Sequence, residues 1–364
     1  MERPARPTAV SRLLRLLHEE GEMSRAAATT RLGLTRTAVG DAAAWLTDAG
    51  ILRTAASAPV GRGRPSPLLG LADDGPVVAV AHLRPDRVDV AVVGLGVAVA
   101  ERESCPVDVS SPDETLARVA ADVAAAVARS GRWCVGVVVA LAGMTRSGVV
   151  RNAVHFGWDG VRAEDVLGTR LRWPVRVESD SGLTALAEHR RGAGRRPGTV
   201  LVLACEHTGV GGALMGGGLA RHVLEVGHLS IEQEGLLCPC GQRGCFEMYV
   251  DGRALLRETG TTTLSEAFEH YDVVAAAADR LGWALSSLVN VVVPARVVLA
   301  GVLGEIHRVA GDRVDAHVAR SVVARTDHTE IVAGQVTDPV LVGAAELGFD
   351  PFLDDPADFP EVSP

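Results

Sequence analysis

The chain has 364 residues, 47 % of them hydrophobic and 22 % charged, which is enough for two or three domains with sizeable cores. No run approaches the roughly 20 apolar residues of a membrane-spanning helix, so no membrane partner is expected. The net charge of −9 is uneven: residues 1–65 carry ten arginines against six acidic residues, so only the head suits an anionic polymer.

The first residues, Met1-Glu2-Arg3-Pro4, lead into a polar helical pattern rather than a signal peptide, and the cytoplasm is the expected compartment. Leu13, Leu14, Leu16 and Leu17 recur at helical spacing until Gly21. Ser24 is placed to cap a second helix through Arg31-Leu32, and Gly33 marks a turn. Thr35 then caps a third helix, with Val39, Ala42, Ala43 and Leu46 on one face and Gly50 as its stop. This is helix–turn–helix spacing. Ile51 to Leu71 reads as a small β-wing whose tip, Gly61-Arg62-Gly63-Arg64-Pro65, is cationic and suited to a phosphate backbone or minor groove.

In this reading the third helix enters the major groove with Thr35, Arg36, Thr37 and Gly40 at its leading end. Arg25 and Arg53 hold phosphates, and Arg62 and Arg64 extend the contact. A small protein-docking module is the competing reading. Asp41 weighs against DNA, because a carboxylate near phosphates is repelled unless it accepts from a cytosine amino group.

From Val77 onward strand-like and Ala-rich helical runs alternate, which argues an α/β body. Strands are expected at 77–81, 88–93, 135–141, 175–177, 199–204, 212–215 and 297–300. Helices are expected at 115–128, 181–191, 273–291 and 340–347. The domain boundaries are drawn at 1–72 for the head and 73–350 for the body, with 351–364 as a loose tail.

Cys105, Cys134 and Cys205 stand singly and read as reduced thiols. The other three cysteines fall within eight residues, Cys238-Pro239-Cys240-Gly241-Gln242-Arg243-Gly244-Cys245, with His228 ten residues upstream. Three thiolates and one imidazole are the ligand set of a closed structural zinc site. Glu225 and Glu247 bracket those ligands.

These features resemble the ROK family (repressors, open reading frames and kinases), and its transcriptional-repressor branch in particular. The resemblance rests on Ser24-Arg25-Ala26, Leu34-Thr35-Arg36-Thr37-Ala38-Val39 and Gly63-Arg64-Pro65 in the head. In the body it rests on Val177-Glu178-Ser179-Asp180, Thr208-Gly209-Val210-Gly211-Gly212, the zinc cluster, and Leu288-Val289-Asn290 leading to Pro294-Ala295-Arg296-Val297-Val298-Leu299-Ala300-Gly301. It implies a two-lobed actin-like fold (ribonuclease H-like, duplicated), as in sugar kinases, behind a winged helix–turn–helix.

The resemblance also implies a sugar cleft at His155, Asp180, Glu225, His228 and Glu247, with Asp180 aligned to the kinase base. Departures from the family pattern bear on the ligand: His155 and Ser179 replace asparagines, Gly182 stands where a second asparagine is common, and Ala142-Gly143 replaces Pro-Gly. The first phosphate turn, Asp-x-Gly-x-Thr in the kinases, is here Val80-Ala81-His82-Leu83-Arg84-Pro85-Asp86, which has neither Gly nor Thr; kinase chemistry is therefore expected to be absent. The second turn, Thr208 to Gly212, remains.

Asp180 or Ser181 serving only as a helix cap is the plain alternative for that position. For His228 and Glu247 the alternative is a purely structural metal knuckle. The reading that follows is a DNA-binding regulator with one structural zinc, a sugar or sugar-phosphate effector, an inverted-repeat operator and a homodimeric or homotetrameric state. A sugar kinase and a ligand-independent regulator are the competing functions.

Overall fold

A computed structural model describes residues 8–55, 67–195, 198–216 and 219–359. The head has helices α1 (Ala9–Glu20), α2 (Arg25–Leu32) and α3 (Arg36–Asp48), with strands β1 (Met23–Ser24), β2 (Leu52–Ala55) and β3 (Leu68–Leu71) in a sheet ordered β1-β3-β2. Ser24 and Thr35 cap α2 and α3, their hydroxyls accepting from Ala27 and Ala38 N–H at 3.1 and 3.2 Å. Gly33 ends α2 in the left-handed region, φ 61°, where a side chain would be strained.

The first lobe contains β4 (Val77–Leu83), β5 (Arg87–Gly94), β6 (Ala98–Pro106), α4 (Pro112–Ser130) and β7 (Cys134–Leu141). A small sheet of β8 (Met144–Arg146), β9 (Val149–Ala153) and β10 (Trp158–Val161) follows. The lobe continues through α5 (Ala163–Gly168), β11 (Val175–Ser179) and α6 (Asp180–Arg191). The second lobe contains β12 (Thr199–Cys205), β13 (Gly211–Gly216), β14 (Leu219–Leu224), α7 (Glu247–Val250), α8 (Gly252–Thr259), α9 (Leu264–Ala267), α10 (Tyr271–Val292), β15 (Arg296–Gly301), α11 (Val302–Val318), α12 (Val322–Asp327) and β16 (Glu330–Ala333). The long α13 (Pro339–Asp354) then returns to the first lobe.

The two five-stranded sheets are ordered β11-β7-β4-β5-β6 and β14-β13-β12-β15-β16. In each, the first three strands form an antiparallel meander, and two further strands add parallel to the opening strand. The topology is one unit used twice. The central strands β4 and β7 of the first sheet are buried along their whole length because α4 covers one face and α13 the other. A Cβ at Gly343 would collide with the Leu183 carbonyl, so α13 lies close against α6.

Two features depart from the sequence-based expectation. The segment after Pro351 is not a loose tail as far as it is described: α13 continues to Asp354, and Phe352 and Leu353 are fully buried. Phe352 meets Trp133 and Phe359 edge-on at 5.4 Å. The head, moreover, is not a separate core. Leu13, Leu14 and Leu17 belong to one apolar cluster with Val78, Val80, Phe349 and Phe352 of the body.

Candidate functional site

The duplicated topology sets two hairpin turns facing each other across the cleft: residues 84–86 between β4 and β5, and 206–210 between β12 and β13. His155, Asp180, Glu225, His228 and Glu247, all singled out from sequence, line one cavity there, together with Thr208 and Gly209. The cavity is narrow, with about 50 Å³ of enclosed space.

Asp180 opens α6 but does not cap it. Ser179 does, its hydroxyl accepting from Gly182 N–H at 3.2 Å. That corrects the alternative in which Asp180 or Ser181 is the cap, and leaves the Asp180 carboxyl facing the cavity with one bond, from Ser181 N–H at 2.6 Å. Burial, and then the charge of Glu206, pushes Asp180 up to about 7. Burial likewise raises Glu225 and Glu206 and lowers His155. Carboxyls and imidazoles together offer acceptors and donors of the kind that vicinal hydroxyls require.

The metal ligands converge. His228 Nδ1 lies 3.7 Å from Cys238 Sγ, and Cys240 Sγ lies 3.6 Å from Cys245 Sγ. The four candidate ligand atoms of His228, Cys238, Cys240 and Cys245 all fall within 4.8 Å of one another. Tetrahedral zinc with ~2.3 Å Zn–S bonds needs sulfurs about 3.8 Å apart, so the donor set fits.

The knuckle is held by isolated bridges between Ser230 and Cys245 and between Leu237 and Arg243. Glu247, 2 % exposed, joins knuckle to cavity. Its Oε1 accepts from Cys238 Sγ at 3.2 Å. Its Oε2 lies on the cavity side, 3.1 Å from where a Cβ on Gly227 would stand. That Cβ would also collide with the Val210 carbonyl, so Gly227 lets the metal loop approach the second turn.

Three contributors escaped the sequence reading. Buried Asp251 accepts from Gly209 N–H at 3.1 Å and from Ala254 N–H at 2.8 Å, so it caps α8 and pins the second turn. The cap signal Asp-Gly-Arg-Ala was present in the sequence. Arg84 and Glu206 form the second omission: Nη2 to Oε2 is 2.9 Å, an ion pair between the two opposed turns. Nothing local in the sequence announces it.

In the head, Arg25, Thr35, Arg36 and Thr37 are exposed and Gly40 is half-buried. A Cβ on Gly40 would lie 3.7 Å from Arg25 Nη1, so these two positions are neighbours. Thr35 spends its oxygen on the cap. Arg53, expected to hold a phosphate, is half-exposed; in the free chain it pairs with Glu22 at 3.0 Å and donates to the Leu71 carbonyl at 3.2 Å. Arg62 and Arg64 lie outside the described residues.

The model of the ROK family matches residues 85–349. The chain belongs to the ROK family. This ROK chain is 31 % identical over 158 residues to a glucokinase of Streptomyces coelicolor, covering 40 % of this chain and 49 % of that protein. It is 24 % identical over 216 residues to a xylose repressor of Bacillus subtilis, covering 54 % and 56 %. It thus spans about half the length of these curated relatives. A ROK transcriptional regulator homologous to the E. coli MLC protein shares the fold with a TM-score of 0.72 at 19 % identity, over 95 % of this chain and 96 % of that one. A ROK glucokinase from Streptomyces griseus, solved with glucose and AMPPNP, has a TM-score of 0.63 at 22 % identity, over 74 % and 98 %. Among the described residues, no helix is long and apolar enough to cross a membrane.

Proposed function

We propose that this ROK chain is a DNA-binding transcriptional regulator whose operator affinity responds to a sugar or sugar phosphate held in the cleft. The observation that carries it is the head: a three-helix unit with a small sheet presents Arg25, Arg36 and Thr37 on its surface. Its core is continuous with the lobe that forms the cleft. Such a head reads as a winged helix–turn–helix with α3 in the major groove. The regulator resembling the E. coli MLC protein matches head and body together, and the xylose repressor supports the same class.

The cleft supports a sensor rather than a kinase. A phosphoryl donor needs both turns open to cradle its phosphates. Here Arg84 and Glu206 bridge them, and Pro85 lacks a backbone donor. One zinc, held by His228, Cys238, Cys240 and Cys245, is a structural ion in this reading. His228, whose Nδ1 faces Cys238 Sγ, would be held by it, leaving the other ring nitrogen to the cavity that His228 lines.

Footprinting on DNA flanking the encoding gene, followed by mobility shifts with sugars as competitors, tests the function. An inverted repeat protected by a dimer or tetramer, with affinity falling steeply as salt rises, is the expected result. Indifference to duplex DNA at low salt refutes it. Phosphoryl transfer is the second reading, favoured by Asp180 at the base position and by the glucokinase relatives. ADP release with hexoses that vanishes in Asp180→Asn would establish it.

A further inference from the structure

Helix α3 carries a carboxylate in the middle of the face that would enter DNA. Val39, Ala42, Ala43 and Leu46 are buried in the head. At about 100° per residue, the direction opposite them falls to Thr37, Asp41, Ala44 and Asp48, and all four are exposed. Thr37 and Ala44, four residues before Asp41 and three after it, are its neighbours on that face. Gly40 adds no side chain beside it, so a side chain as short as aspartate can come within reach of a base edge. Among the described residues the Asp41 carboxylate has no hydrogen-bond or ion-pair partner. Glu20 and Glu22 of the same head, by contrast, pair with Arg31 and Arg53.

We propose that Asp41 reads a cytosine in each half-site of the operator, accepting a hydrogen bond from the cytosine N4 amino group in the major groove. Its place at the centre of the exposed face directs it to the floor of the groove rather than to the rims, where the phosphates run and would repel it. A carboxylate on that floor can only accept. Guanine offers it N7 and O6, and thymine O4, all of them acceptors. Adenine couples its N6 donor to the N7 acceptor, which repels a carboxylate oxygen. Cytosine alone presents an amino donor with no acceptor beside it. Asp41 therefore selects by exclusion as much as by attraction, since every other base leaves a desolvated charge unpaired. Arg25 and Arg36, both exposed, supply the attraction to DNA, so affinity and this base choice belong to different side chains.

The inference rests on the reading of the chain as a DNA-binding regulator with α3 in the major groove. The full chain and its Asp41→Ala and Asp41→Asn variants are each used to select sites from a random duplex library, and the selected sites are compared by competition binding at one salt concentration. Asp41 is exposed and unpartnered, so both variants should unfold at the wild-type temperature. The wild type is expected to enrich half-sites with a C·G pair at one fixed position, where any other pair weakens binding roughly tenfold or more. Asp41→Ala should lose the preference at that pair alone, and it should bind unrelated duplex more tightly because a repulsion from phosphate is gone. Asp41→Asn should admit A·T there, because an amide can accept from adenine N6 and donate to N7.

A selected site without such a cytosine, a cytosine preference that survives either substitution, or a loss spread evenly over every position of the site overturns the proposal. In each of those cases operator binding itself stands. A chain that enriches no sequence even at low salt refutes the regulatory function together with it.

Discussion

His18, in the first helix, meets Glu346, in the last long helix, at 3.2 Å with both side chains buried. The His18 Nδ1 accepts from Gly96 N–H at 3.0 Å, so Nε2 is the nitrogen that donates to the carboxylate. Arg190 Nη1 also donates to Glu346 at 3.0 Å, and Arg191 Nε pairs with it. Burial alone would raise Glu346, but the hydrogen bond from His18 and the Arg191 guanidinium outweigh it and hold the carboxyl at about 2.

A carboxyl depressed from 4.5 to about 2 stabilises the folded chain above the unfolded-state pKa. That contribution, about 3 kcal/mol, is lost as pH falls from ~4.5 towards 2. Glu346→Ala should cost about 3 kcal/mol at pH 7, because Arg191 loses its carboxylate partner and buried His18 loses the acceptor of its Nε2. Denaturant unfolding at pH 7 and pH 3 checks both: the gap between the wild type and the variant should narrow by about 2 kcal/mol at the lower pH.

The same cluster lies at one end of α6, whose other end is Asp180 in the cleft. Twelve residues at 1.5 Å per residue make a strut of about 18 Å. Arg191 Nη2 reaches the His18 carbonyl at 3.0 Å, so a ligand that shifts Asp180 moves a contact to the head. Arg191→Gln should leave operator affinity within about threefold without sugar and shrink the sugar-induced change. Mobility shifts with and without the sugar test this, and an undiminished response counts against the strut.

Asp180 gives the opposite pH signature. Its folded pKa of about 7 lies above the ordinary 3.8, so between these values the folded chain holds a proton that the unfolded chain has released. Stability from this site therefore falls as pH rises from ~4 to 7, by as much as about 4 kcal/mol. Asp180→Asn should flatten that decline in Tm across pH 4–8 and abolish sugar binding. A variant that loses sugar binding with the pH slope unchanged would mean that the carboxyl is already ionised in the fold.

The metal knuckle, residues 228–247, includes exposed Leu236 and Leu237 and little regular structure, so metal binding is its folding energy. Elemental analysis should give about one zinc per chain. Chelation, or Cys240→Ser, should remove hydrogen-exchange protection from this segment and weaken sugar binding through His228 and Glu247. Protection in the two five-stranded sheets should persist.

On the head, Arg36 and Arg25 should behave differently. Arg36→Ala is expected to cost about 1–3 kcal/mol on the cognate operator and to relax preference at one base pair. Arg25→Ala should weaken all sequences alike and reduce the salt slope by about one. Arg53→Ala should change DNA affinity little, since Arg53 is spent on Glu22 and Leu71. Competition binding across single-base operator variants separates the three.

Local physics sufficed for much of this protein. Hydrophobic period and cap chemistry placed the body's predicted strands and helices, and the Ser24 and Thr35 caps stand where the sequence puts them. The candidate metal ligands were legible because eighteen consecutive residues contain them all. The packing of Phe352 was not, nor was the shared core of head and body, nor the choice of Ser179 over Asp180 as cap. The pairs Arg84–Glu206 and His18–Glu346 lie 122 and 328 residues apart in sequence. Periodicity and capping act over a few residues, whereas pairing between distant charges, and the burial that sets their pKa values, exists only once the duplicated sheets and α13 have brought them together.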